Sequence, residues 1–202
     1  MTDRQFTEDT LIIATHNVGK MREIEALFAG FDFTIISAKS LGLAEPEETE
    51  DSFIGNAVLK AKAATLASGL ASLADDSGLS VAALNGAPGV YSARWAGPNR
   101  DFNIAMTAVR EALLKTQSDD TRAEFICALA LVWPDGHAVC VEGKTQGTLK
   151  FPARGTRGFG YDPIFQPCGH NISFGEMDPD IKHAISHRAN AFAKLISRCF
   201  NR

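Results

Sequence analysis

Leu11-Ile12-Ile13-Ala14-Thr15-His16-Asn17-Val18-Gly19-Lys20-Met21 is the stretch that decides the fold. Leu11 to Ala14 is a short apolar run of the kind that forms a buried strand. The polar segment Thr15 to Lys20 breaks it. Met21, Ile24, Leu27 and Phe28 then recur at the three- and four-residue spacing of one helix face. The chain therefore opens strand–loop–helix. Asn17 suits the N-cap, which puts Lys20 in the first turn of that helix. A cation there faces the positive end of the helix dipole and is disfavoured by roughly 0.3–1 kcal/mol. An anion bound at the terminus would reverse the sign, and exposed backbone N–H groups with Gly19 and a lysine make a phosphate cradle. The spacing G-x-x-x-x-G-K-[ST] of a P-loop is absent.

The same alternation continues outward. Phe33 to Ala38 reads as a second strand. Glu45 to Asp51 is a loop with five acids in seven residues. From Ser52 to Leu70, Phe53, Ala57, Ala61 and Ala64 mark one helical face, and Gly69 stands where a C-cap belongs. Ala71 to Ala74 is a short strand that Asp75-Asp76-Ser77-Gly78 interrupts, and Leu79 to Leu84 suits another. Asn85 to Gly89 is a loop. Phe102, Ala105, Met106, Val109 and Leu113 mark a helix capped by Asn99 or Asp101. Phe125 to Trp133 is apolar at nearly every position, as in a central strand covered on both faces. Pro134-Asp135-Gly136 turns it, and His137 to Glu142 pairs back antiparallel. A Gly/Pro-rich loop spans Gly155 to Pro167. Asp178-Pro179 starts a helix, and Ile185, Phe192, Leu195, Ile196 and Cys199 carry a helical face to the C-terminus. Helices and strands alternate and a hairpin follows, which predicts an α/β protein in one domain, with a mixed central sheet flanked by helices.

Composition narrows the function classes. A chain of 202 residues can bury a full core without disulfide or metal staples. No apolar run reaches the ~20 residues of a membrane span, and MTDRQFTEDT at the start lacks the pattern of a signal peptide. Cys127, Cys140, Cys168 and Cys199 are dispersed, without the paired spacing of a zinc site. They read as reduced core residues of a cytoplasmic protein. A formal charge of −4 disfavours a surface built to grip a nucleic acid polymer or an anionic membrane.

Four further segments carry chemistry-bearing residues. The acidic loop at Glu45 to Asp51 can supply one carboxylate to a hard divalent cation, since Mg²⁺ takes one or two carboxylates plus waters and phosphate oxygens. Asp75 and Asp76 are adjacent acids that are costly unless paired or metal-bound, and a base that activates water near a metal is a carboxylate of this kind. Arg154-Gly155-Thr156-Arg157-Gly158-Phe159-Gly160-Tyr161-Asp162-Pro163 combines aromatics, backbone donors and neighbouring cations in a loop suited to base stacking. Around Lys182, Ser186-His187-Arg188 again sets cations in a helix's first turn, and two such conflicts in one chain favour a polyanionic ligand.

These segments resemble a known family. Thr15-x-Asn17-x-x-Lys20-x-x-Glu23, Glu48-Thr49 followed by Phe53-x-x-Asn56-Ala57-x-x-Lys60-Ala61, Ala74 to Leu79, Gly86 to Arg94, Gly158 to Pro163 and Ile185 to Arg188 are similar, in this order, to the inosine triphosphate pyrophosphatases, the house-cleaning dITP/XTP pyrophosphatase (HAM1-like) family. The resemblance runs from about Leu11 to the C-terminus. It implies an elongated α/β fold with two lobes around a central active-site cleft, a homodimer, and a Mg²⁺-dependent enzyme. Such enzymes cut ITP, dITP and XTP between the α- and β-phosphates, giving the monophosphate and pyrophosphate. By the same resemblance Thr15, His16, Asn17, Val18, Gly19 and Lys20 form the triphosphate loop. Asp76 is the proton acceptor and a metal ligand, Glu48 the other metal carboxylate, and Ser77 a substrate contact. Phe159, Gly160, Tyr161, Asp162, Lys182, His187 and Arg188 form the nucleoside end, with Phe159 the stacking ring. His16 stands where many relatives carry Gly or Ser, so its side chain either crowds the phosphate approach or adds a donor to it. Residues 1–9 have no counterpart and read as a disordered extension before a catalytic domain at 10–202.

Three other readings compete. A Maf-like pyrophosphatase for modified pyrimidines is opposed by the His187-Arg188 and Phe159 to Asp162 motifs. A non-catalytic nucleotide-binding regulator is opposed by intact Asp76 and Glu48. An RNA-binding protein is opposed by the charge and by the lack of an aromatic RNA-binding sheet motif.

Overall fold

The structure, a computed structural model, describes residues 4–200. Six strands, β1 (Thr10–Ile13), β2 (Thr34–Ser37), β3 (Ser72–Val81), β4 (Arg122–Val132), β5 (Ala138–Leu149) and β6 (Phe165–Pro167), form one sheet in the order β2-β1-β3-β4-β5-β6. The helices are α1 (Val18–Leu27), α2 (Phe53–Ser68), α3 (Phe102–Thr116), α4 (Pro179–Ile185) and α5 (His187–Cys199). β1 pairs in parallel with β2 and β3, while β6 runs antiparallel to β5, so the sheet is mixed as expected. Contacts divide the chain into two compact units, Met1–Asp76 with Cys127–Gly143 and Arg188–Arg202, and Ser77–Ile126 with Lys144–His187.

In the first unit, the two-residue period of each strand sorts side chains onto two faces. Leu11, Ile13, Leu73, Cys127, Leu129 and Leu131 pack with Ile24 of α1, with Phe28 just after it, and with Ala191, Leu195 and Cys199 of α5. Ile12, Ala14, Ala74, Ala128 and Ala130 face the other way, against Ala57, Ala61 and Ala64 of α2. Helix ends follow local chemistry. Asn17 Oδ1 accepts Lys20 N–H at 3.1 Å, Ser52 Oγ accepts Gly55 N–H at 3.1 Å, and Gly69 ends α2 at φ 70°. The second unit gathers Leu79 and Val81 of β3, Ala105, Met106, Val109 and Leu113 of α3, and Phe125, Phe165 and Phe174. Asp101, not Asn99, caps α3, and Asp178 caps α4 with Pro179 at its first position.

Two expectations need correction. Asp75-Asp76-Ser77-Gly78 does not interrupt the chain, because a single ten-residue strand, β3, runs through it. The acids are tolerated in a strand because each meets a cation. The expectation of a disordered extension over residues 1–9 does not hold for residues 4–9. Phe6 N–H donates to Cys199 O at 2.7 Å, and the Phe6 ring packs on Phe200 at 5.1 Å and on Phe33 at 5.0 Å. Residues 1–3 lie outside the described residues.

Candidate active site

Asp75 and Asp76 occupy successive positions of β3, so they project to opposite faces of the sheet. Asp76 follows Ala74 toward α2. There Lys60 Nζ donates to Asp76 Oδ1 at 2.9 Å and to Glu48 Oε1 at 2.6 Å. Lys60 is buried, because it lies on the same stripe of α2 as Asn56, Ala57, Ala61 and Ala64. Burial pushes the Asp76 carboxyl up to about 6, and the neighbouring Glu48 charge adds to the rise, against the pull of Lys60 and Lys20. Burial also acts to raise Glu48, but Lys60 and then Lys20 outweigh it and hold that carboxyl below its ordinary value. Asp76 Oδ2 is buried and has no hydrogen-bond partner.

Asp75 follows Leu73 toward α1 and α5. Its carboxylate pairs with Lys20, accepts Arg188 Nε–H at 2.9 Å and receives the Cys127 thiol at 3.0 Å. Arg188 also pairs with Glu23 and is 1% exposed. Burial acts to raise Asp75, but Arg188 and Lys20 hold it well below the carboxylate range. The two cations set against helix dipoles therefore meet a carboxylate within the chain. Asp75 offsets both charges within the chain. Arg188 belongs to this cluster.

The loop from Thr15 to Lys20 is built from its own side chains. Thr15 Oγ1 accepts Asn17 N–H at 3.2 Å, and Asn17 caps α1. Thr15, His16, Asn17 and Val18 line a pocket of about 270 Å³ with Met21, Arg22 and Lys39 among the other walls. The N–H groups of the first turn not used by the cap are free of helical partners by geometry. His16 is turned elsewhere, with Nε2 at 3.0 Å from Leu43 O and Nδ1 at 3.8 Å from Glu45 Oε2.

In the second unit, Asp162 organises the other expected residues. Its Oδ2 accepts Phe159 N–H at 2.8 Å and the Lys182 ammonium at 2.7 Å. Lys182 lies 4.9 Å from the centre of the Phe159 ring, a cation–π distance. Gly158 adopts φ 74°, and a Cβ there would collide with Asp162 Oδ2, so only glycine fits the turn that brings Phe159 to Asp162. Gly160 follows at φ 69°. The Tyr161 hydroxyl donates to Ser92 O at 2.9 Å, and burial pushes its phenol up. His187 stacks on Phe125 at 4.8 Å. Ser77 follows Asp76 on β3.

Among the described residues, no group of three or more His, Cys, Asp or Glu is arranged to hold a metal ion. The pair Glu48 and Asp76, with an orphaned buried Oδ2, still fits a hard cation that completes its shell with water and phosphate oxygens. Lys60, Asp75 and Glu23 are the members that sequence reasoning did not name as site residues.

The Ham1 family profile matches residues 11–198. The chain belongs to the Ham1 family. Its relatives in that family include a dITP/XTP pyrophosphatase of Rhodospirillum centenum, 61% identical over 200 residues and covering 98% of each chain. Another, of Caulobacter vibrioides, is 61% identical over 191 residues, covering 95% of this chain and 98% of the relative. A solved HAM1 protein of Coxiella burnetii is 37% identical and matches with a TM-score of 0.88 over 94% of this chain and 98% of its own. The Staphylococcus aureus Ham1 protein matches with a TM-score of 0.83 at 35% identity, over 93% of this chain and 96% of its own.

Proposed function

We propose that this Ham1 family member is a nucleoside-triphosphate pyrophosphohydrolase that converts ITP, dITP and XTP to the monophosphate and pyrophosphate, removing these nucleotides from the pool. The observation that carries the reading is Asp76: a buried carboxyl raised to about 6, held by Lys60, with its second oxygen unpartnered and Glu48 sharing the same lysine. A carboxyl in that range is ionised at neutral pH and still basic enough to take a proton from water. Nearly full-length identity to proteins named dITP/XTP pyrophosphatase supports the substrate class.

Each residue then has a task. Glu48 and Asp76 would hold Mg²⁺, which supplies positive charge against the phosphate oxygens. Asp76 accepts the proton of the water that attacks the α-phosphorus. Lys60 fixes the direction of Oδ1 and keeps the pair of acids ionised. The first-turn N–H groups of α1 and the Lys20 ammonium, anchored on Asp75, receive triphosphate oxygens. Phe159 offers a ring face to the base, with its orientation set by Asp162 and Lys182. A donor facing the purine 6-position accepts a keto oxygen and meets the amino group of adenine with a clash worth about 1–3 kcal/mol, or ~10–200-fold in rate. A cytoplasmic homodimer belongs to the same reading. No helix among the described residues is long and apolar enough to cross a membrane.

The test is pyrophosphate release from ITP, dITP and XTP beside ATP, GTP and CTP, with Mg²⁺ and with EDTA. The expected result is rapid release from the first three, and none in EDTA. Equal rates on ATP and ITP would sink the house-cleaning assignment, and activity surviving EDTA would remove the metal role of Glu48 and Asp76.

A further inference from the structure

His16 lies in the phosphate loop, yet both of its ring nitrogens face the acidic loop. Nε2 is 3.0 Å from Leu43 O. A carbonyl only accepts, so the ring proton belongs on Nε2 and the bond is a donation to Leu43. Nδ1 is buried without a hydrogen-bond partner and faces Glu45 Oε2 at 3.8 Å, too far for a hydrogen bond. A ring so placed spends Nε2–H on Leu43 and turns Nδ1 toward Glu45.

What the contact does instead follows from the segment it touches. Residues 43–50 have neither helix nor strand, and beyond one backbone bond, Leu43 N–H to Ala38 O at 3.0 Å, side chains hold the stretch that carries Glu48. Three do so. At the far end the buried Asn56 of α2 accepts Glu50 N–H on Oδ1 at 3.0 Å and donates Nδ2–H to Glu50 O at 3.3 Å. In the middle Lys60 holds the Glu48 carboxylate at 2.6 Å. At the near end stands His16. Leu43 is thus tied through its N–H to Ala38 and through its carbonyl to His16, and the His16 tie is the one on the side of Glu48.

We propose that His16 is a positioning residue that latches the start of the acidic loop onto the phosphate loop and so presets Glu48 for its cation. The proposal deepens the pyrophosphatase reading and rests on Glu48 being a metal carboxylate. A Gly or Ser at this position lacks the reach to make the contact. The latch therefore adds cation affinity to this chain.

The experiment compares wild type with His16→Ala and His16→Gln. Hydrogen exchange of the 43–50 amides is measured in metal-free, nucleotide-free protein, and Mn²⁺ binding on the same samples. His16→Ala is expected to speed exchange in that segment and weaken Mn²⁺ binding, each by about five- to tenfold, the scale of one lost hydrogen bond. In steady-state assays the Mg²⁺ concentration for half-maximal rate should rise by more than the nucleotide KM at saturating Mg²⁺. His16→Gln, whose amide can still donate to Leu43 O, should recover most of the loss. Exchange and Mn²⁺ binding within twofold of wild type overturn the latch. So does a raised nucleotide KM with unchanged loop exchange, which would make His16 a direct phosphate contact. If wild type binds no Mn²⁺ and turns over in EDTA, it is the metal reading of Glu48 that falls, while the exchange data still decide whether His16 holds the loop.

Discussion

Replacing the proposed base should make the metal-free protein more stable. Asp76 titrates near 6 in the folded chain, against an ordinary 3.8. The folded state therefore holds that proton more tightly than the unfolded state, by about 3 kcal/mol at 1.4 kcal/mol per tenfold. For a raised carboxyl this stabilisation is fully present below pH 4 and is lost as pH rises through 6. At pH 8 the wild-type chain keeps an ionised Asp76 whose burial is only partly offset by Lys60. Asparagine has nearly the shape of the protonated acid and stays neutral throughout. Asp76→Asn should therefore match wild type near pH 4 and exceed it by about 1–3 kcal/mol at pH 8, the lower end allowing for Lys60 losing one of its two partners. Asp75 confuses the comparison little. Its carboxyl lies well below 3.8, so its stabilisation is present above that pH and is lost only in stronger acid.

Urea unfolding in EDTA at pH 8 and pH 4.5, followed by fluorescence of Trp95 and Trp133, measures both differences. Turnover of dITP should be lost in the same variant. Added Mg²⁺ should narrow the stability gap, because it binds the wild-type carboxylate pair and not its asparagine substitute. A variant that is less stable than wild type at pH 8, or equally stable at both pH values, would refute the claim that Asp76 is held against its own ionisation.

Two further outcomes follow from the same contacts. Lys60→Met leaves Asp76 and Glu48 without their shared cation, so Asp76 rises above 6. The acid limb of the pH–rate profile should then move to higher pH, with an unfolding free energy lower by about 3–5 kcal/mol. An unmoved limb in pyrophosphate release between pH 5 and 9 would deny Lys60 that role. Phe6→Ala removes a half-buried ring from Phe33 and Phe200 and should lower stability by about 1–3 kcal/mol. An unchanged melting temperature would mean that residues 4–9 add nothing to the fold.

The features legible in the sequence were the local ones. Asn17, Ser52, Gly69, Asp101 and Pro179 mark helix ends because a cap is decided within three or four residues. The alanines at 57, 61 and 64 marked the face of α2 in the same way. Asp75 to Gly78 reads as a break because two adjacent acids cannot be buried alone. What makes them a strand lies far along the chain, with Lys60 on one side and Lys20, Arg188 and Cys127 on the other. Lys60 did carry a signal. It falls on an alanine stripe where a lysine stays only if it meets carboxylates.

The dipole argument about Lys20 and Arg188 was right that anions are required, and Asp75 within the chain is one of them. Lys20, Arg188, Glu23 and Asp75 sum to zero charge, so that cluster exerts little net pull on a triphosphate. Lys60, Glu48 and Asp76 sum to −1 when both acids are ionised, which is an unmet demand for a cation. On the proposed reading, a cation at Glu48 and Asp76 would meet that demand and carry charge to the phosphates. A free triphosphate would meet the first-turn amides of α1, the donors that Lys20 has left after Asp75, and Arg22 and Lys39 on the walls of the same pocket.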